Sequence, residues 1–290
     1  MKKLALLSLS LTACVPGVGT AKFTTWGEEY IEQEIPADPA GEAGFVDGWR
    51  VHYDKFLVTF HGIEVASEDG TLGARMSGSK LVDNARPGKK DLITFEDLEA
   101  RAWDAVSYEI KPATEATELI GGATEADRRL MVDGGYSVYF EGSATRTTTS
   151  GATLTKTFHL GFPLATRYHG CQQAEESGHA ILGIVVTNGG TDVSELTTHG
   201  DHPYYDRLKA SPDPAVKTSL RFEEKAAADA NGDGEITQAE LDAAPIDVRK
   251  YDPSGFDAPN LGSFMTALIR TVGHFRGEGE CSISRADSGR

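Results

Sequence analysis

The run Arg50–Ala66 constrains this chain most. It is rich in Val, Phe, Tyr and Ile, and its apolar side chains occupy both parities. Val51, Tyr53 and Leu57 share one; Phe56, Val58 and Phe60 share the other. Successive side chains of a strand point to opposite faces. The pattern therefore predicts a strand buried on both sides, or one interrupted by a bulge. Such a strand needs neighbours. Further strand-like runs stand at Leu92–Phe95, Trp103–Ile110, Tyr136–Gly142, Leu154–Phe162 and Ala180–Thr187. Turn signals separate them, among them Arg86-Pro87-Gly88, Gly121-Gly122, Asp133-Gly134-Gly135 and Asn188-Gly189-Gly190. The chain is expected to be mainly β, with an antiparallel β-sandwich or barrel over residues 45–200. The 32 glycines and abundant Thr and Val agree with strands joined by turns.

The period changes after residue 200. His202-Pro203 can open a short helix through Leu208, and Ala215–Ala228 is helix-compatible. Leu261, Phe264, Met265, Leu268, Ile269 and Val272 form one apolar stripe of a helix that Gly273 ends. Glu125–Met131 reads as one helical turn. Residues 15–44 carry Pro16, Pro36 and Pro39, which predicts a tether without long regular elements. Residues 201–290 are expected to form a small helical module with a C-terminal tail.

The first fourteen residues carry an address. Lys2 and Lys3 make a basic start, and Leu4–Leu11 is apolar but too short to span a bilayer. Leu11-Thr12-Ala13-Cys14 then resembles the lipobox of bacterial lipoproteins. The resemblance implies cleavage and lipidation at Cys14, and Val15 in place of Asp implies an outer-membrane anchor in a Gram-negative envelope. Cys171 and Cys281 remain, and in an oxidising compartment a disulfide between them is expected. The formal net charge is −16; without Lys2 and Lys3, 26 basic residues face 44 acidic ones. That balance argues against nucleic acid as a partner. Metal ions, the membrane through a lipid anchor, and a protein or glycan remain.

The segment Asp229–Glu240 carries the clearest chemistry. Asp229, Asn231 and Asp233 place oxygens at alternate positions, Gly234 permits a sharp turn, and Ile236 is apolar. Glu235 can offer its carbonyl, Thr237 a direct or water-mediated oxygen, and Glu240 a closing carboxylate. Calcium wants six to eight oxygens in such a flexible cage. The segment resembles EF-hand and dockerin-type calcium loops at each diagnostic place. As a whole the chain is similar, in a general way, to uncharacterised bacterial lipoproteins that join a β-sandwich to such a loop. The resemblance implies no activity. No second loop of this type is present, so a structural staple is expected rather than a sensor.

A second constellation is His199-Gly200-Asp201-His202, with His274 beyond the apolar helix. Imidazoles suit zinc or copper, so His199, Asp201, His202 and His274 are candidate ligands. The competing account is that Asp201 or His202 caps the helix starting at Pro203. No GxSxG, HExxH, P-loop or CxxC is present. The leading expectation is a non-enzymatic exported lipoprotein that binds calcium and a transition metal for storage or delivery. The alternatives are a calcium-stabilised β-sandwich that binds a glycan or protein, and a metal-dependent hydrolase.

Overall fold

A computed structural model describes residues 17–41, 43–174 and 180–286; the segment expected to be an export signal and Cys14 lie outside the described residues. The protein is mainly β, with strands grouped into an eleven-stranded, a four-stranded and a two-stranded sheet. Among the described residues no helix is long and apolar enough to cross a membrane.

The strand Arg50–Ala66 is the spine of the large sheet. It pairs with Val138–Thr147 along its first half and with Ala105–Ile110 along its second. Register shifts between Tyr53 and Lys55 and between His61 and Glu64 interrupt it, with Gly62 at φ +51 in the second. Phe56 through Phe60 are all fully buried. Phe56, Val58 and Phe60 enter the main core, whereas Leu57 joins a smaller cluster with Leu81, Met131 and Tyr139. Met131 lies on the helix Glu125–Asp133, capped by a reciprocal Thr124–Asp127 pair. Both readings of the apolar pattern therefore hold, double burial and a bulge. On the main-core side, Tyr53, Phe56, Phe140 and Phe158 pack as edge-on and stacked rings; each such pair is worth about 0.5–1.5 kcal/mol beyond its buried area.

Three expectations are corrected. Residues 15–44 are not merely a tether. Val18–Trp26 is a strand, parallel to Thr191–Thr198 and antiparallel to Lys90–Glu99, and it buries Ala21 and Phe23. The β architecture is also not purely antiparallel, because Ser79–Asp83 with Glu118–Ile120 and Thr153–Phe162 with Glu235–Ile236 pair in parallel too. Finally, strand pairing crosses residue 200. Gly273–Phe275 joins Thr191–Thr198, Glu280–Arg285 joins Thr166–Ala174, and one apolar core takes residues from both sides.

The helices beyond residue 200 are shorter than their propensity suggests. His202–Tyr204 is a single 3-10 turn, and Glu223–Ala227 is all that forms of the helix-compatible run. Tertiary contacts override propensity there. Leu220 bridges Phe45 and Tyr205, and the Phe222 ring packs against Phe45, Trp49 and Tyr204. The amphipathic helix runs Leu261–Ile269 and ends before Gly273. Gly273 serves a close approach instead of a cap, since a Cβ there would meet the Tyr108 hydroxyl at 2.6 Å and the Tyr168 ring at 2.9 Å.

Candidate metal centre

Strand register builds the site. In the four-stranded sheet, Gly273–Phe275, Thr191–Thr198 and Val18–Trp26 are consecutive neighbours. Thr197 is the partner of His274 on one side and of Trp26 on the other. Because the last two strands run parallel, they end at the same edge of the sheet. Two residues beyond Trp26 stands Glu28; two residues beyond Thr197 stands His199. The chain then turns through Gly200, whose missing side chain admits Ile31, and His202 opens the 3-10 turn.

His199, His202 and His274 are buried, and one ligand nitrogen of each lies within 4.8 Å of the others. The His199 and His274 rings are 4.1 Å apart at their centres, and His202 is 5.1 Å from each. The tautomer of His202 follows from its neighbour. The Thr271 hydroxyl donates to the Leu268 carbonyl at 2.8 Å, so its one proton is committed. The 2.8 Å contact between His202 Nδ1 and Thr271 Oγ1 then requires Nδ1–H as donor. Nε2 keeps its lone pair, which is the state a metal ligand needs. His199 Nε2 and His274 Nδ1 are buried without a hydrogen-bond partner in the protein.

Asp201 departs from the expected ligand set. It is not part of the three-histidine group; its Oδ2 accepts from the Tyr205 hydroxyl at 3.0 Å. It makes no side-chain cap on the 3-10 turn either, so the capping account finds no hydrogen bond for Asp201. Glu28 and Glu278, by contrast, escaped the sequence reading. Their carboxylates and His199 form a second group within the same 4.8 Å limit.

No protein-family model matches this chain, and no curated protein or solved structure is significantly similar to it. Three clustered imidazoles with an adjacent carboxylate can hold a metal ion, and that donor set suits zinc or copper.

Electrostatics keep the ligands ready. Burial pushes His274 down to about 4, helped by the His199 ring. Burial, then His199 and His274, holds His202 well below the ordinary imidazole range. Burial raises Glu28 to about 7, offset by His199 and reinforced by Glu278, Asp201 and Glu195. The signs oppose each other in the metal-free protein. The depressed histidines contribute stability above the ordinary imidazole value near 6.5, and this is lost as pH falls toward the folded value. Glu28 contributes below its ordinary value of 4.5, and this is lost as pH rises through about 7. Ring-proton NMR of the metal-free protein should give His274 a midpoint near pH 4. A midpoint at 6.5 or above would contradict the burial of His274 beside His199.

The segment Asp229–Glu240 follows the short helix Glu223–Ala227 and runs into the first turn of the short helix Gln238–Ala243. Asp229 accepts from the Gly232 and Gly234 amides, Asn231 Oδ1 from the Asp233 amide, and Asp233 Oδ1 from the Glu235 amide. Glu240 reaches both ends of the loop, accepting from Ala230 N through Oε1 and from Thr237 N and Oγ1 through Oε2. Lys156 pairs with Asp229 and holds its carboxyl below the usual range. Glu235–Ile236 adds to the edge strand Thr153–Phe162, and Ile236 is buried. Among the described residues, the carboxylates of the loop are not gathered within 4.8 Å as the two groups at His199 are.

Cys171 and Cys281 form a disulfide, as expected from the sequence. It joins paired strands across the register shift between His169 and Gln172.

Proposed function

We propose that this protein is an exported, lipid-anchored metal carrier of the bacterial envelope. It holds one zinc or copper ion at His199, His202 and His274, for storage or delivery. A calcium ion at Asp229, Asn231, Asp233, Glu235, Thr237 and Glu240 fixes an EF-hand-type module against a β-sandwich. The observation that carries the reading is that His199 Nε2 and His274 Nδ1 are buried without a hydrogen bond, in a group where one ligand nitrogen of each of the three histidines lies within 4.8 Å of the others. A buried polar atom left unsatisfied costs about 1–3 kcal/mol. A metal ion turns that cost into ligand bonds. Asp201 drops out of the ligand set in this reading, since it is not part of the three-histidine group.

The calcium assignment is supported by the donor chemistry of the loop and by Glu240, which already closes both of its ends. Lys156 neutralises part of the carboxylate charge where calcium would sit, which favours a weak site of the extracellular kind. The disulfide agrees with an oxidising compartment.

Replacing His199 and His202 together by alanine should abolish retention of zinc and copper after dialysis at neutral pH, while the calcium response of the melting curve persists. A double variant that keeps a full equivalent of either metal returns these histidines to a structural role.

A further inference from the structure

The second carboxylate group has a geometry the three-histidine centre does not need for its own assembly. Glu28 Oε1 stands 3.5 Å from His199 Nε2. Two ligand atoms about 2.0–2.2 Å from one zinc ion are separated by about this distance on a tetrahedral edge. His199 is 5% exposed, and its Nε2, with no hydrogen bond, faces this carboxylate. Glu28 itself has φ +55, a left-handed conformation in which a non-glycine residue is strained.

Glu278 comes from a different direction. It sits on the turn after Gly273–Phe275, closed by Phe275 N donating to Gly279 O at 2.9 Å. Arg276, at φ +54, donates through its backbone to Glu195 O at 2.7 Å, and its guanidinium grips both oxygens of Asp192. Gly277 N donates to Thr197 Oγ1 at 3.0 Å. Three contacts thus fasten the turn to the strand that leads into His199. The exposure is graded: Glu278 exposed, Glu28 half-buried, His199 buried. A cavity of about 320 Å³ is lined by Glu278 together with His202 and His274, so Glu278 and two of the inner imidazoles share one opening, while Glu28 and His199 lie outside its lining.

We propose that Glu278, Glu28 and His199 form a capture position for a hydrated divalent transition-metal ion, from which the ion passes to His199, His202 and His274. His199 belongs to both groups and is the hand-over ligand. Carboxylate oxygens meet the hydrated cation at the surface, and imidazole nitrogens replace them inside. This inference rests on the three-histidine reading and adds a route to it.

A capture position on the pathway speeds loading and release together and leaves the equilibrium untouched. The test is stopped-flow loading of the metal-free mature protein with zinc alone, alongside equilibrium competition with a chelator. Glu28→Gln/Glu278→Gln should load about tenfold more slowly at low salt, with one equivalent of zinc retained and Kd within about twofold of the parent. Glu278→Gln alone, at an exposed turn, should slow loading by a smaller factor. Glu96→Gln/Glu115→Gln, which removes the same charge elsewhere, should load at the parental rate. Unchanged loading in Glu28→Gln/Glu278→Gln, or equal slowing in the control pair, overturns the capture role. Loss of bound zinc at equilibrium also overturns it, because the carboxylates would then be permanent ligands. A parent protein that takes up no zinc instead refutes the three-histidine reading itself.

Discussion

Cys171→Ala/Cys281→Ala should lower the free energy of unfolding by roughly 4–5 kcal/mol. The bridge spans a sequence separation of 110 residues, so its loss frees a large closed loop in the unfolded chain. Cys171 is fully buried, and its truncation adds a small cavity to the same balance. The effect should also reach the metal centre. The bridge ties the strand Glu280–Arg285, and with it the turn carrying Glu278, to Thr166–Ala174. His274 is separately held by its pairing with Thr197, so the three histidines should stay together while the tail loosens. Urea unfolding of the oxidised parent and of the variant measures the first effect. A difference below about 1 kcal/mol would show that the strand pairing alone fixes the tail.

Calcium should raise the stability of the protein by about 2.7 kcal/mol at a hundredfold excess over its Kd, by mass action alone. Without the ion, Asp229, Asp233 and Glu240 crowd negative charge into one loop, offset only in part by Lys156. Glu240→Gln should remove most of the gain, since one charged ligand oxygen is lost. The substitution is selective. Glu240 also caps the helix Gln238–Ala243 by accepting from Thr237, and glutamine serves that role as well. Glutamine has a single acceptor oxygen, so keeping the cap gives up the Ala230 amide contact; stability in chelator should fall by about 1 kcal/mol, while the calcium increment collapses. Melting of the parent that is independent of calcium would remove the ion from the loop.

Local pattern made part of this protein legible. Double-parity burial in Arg50–Ala66 showed a strand covered on both faces, and the two remaining cysteines showed their bridge. The histidines could be named because imidazole chemistry is visible in composition. Their company could not. Glu28 meets His199 only because Val18–Trp26 and Thr191–Thr198 pair in parallel and in register, and no local signal carries a pairing across the length of the chain. The prolines at 16, 36 and 39 flank that first strand without entering it, and its short alternation at Gly19, Ala21 and Phe23 was overshadowed by them. Asp201 was named for its spacing, but the 3-10 turn at Pro203 brings Tyr205 to its carboxylate instead. Helical propensity in Ala215–Ala228 yielded to the aromatic contacts of Phe222.

The central claim is a transition-metal ion held by His199, His202 and His274. Its most direct test is elemental analysis of the mature, natively exported protein after dialysis against trace zinc and copper at neutral pH. One equivalent of zinc or copper per chain, retained beside calcium and displaced by a strong chelator, is the predicted result. Retention of neither zinc nor copper would contradict it and leave the three imidazoles as buried structural side chains.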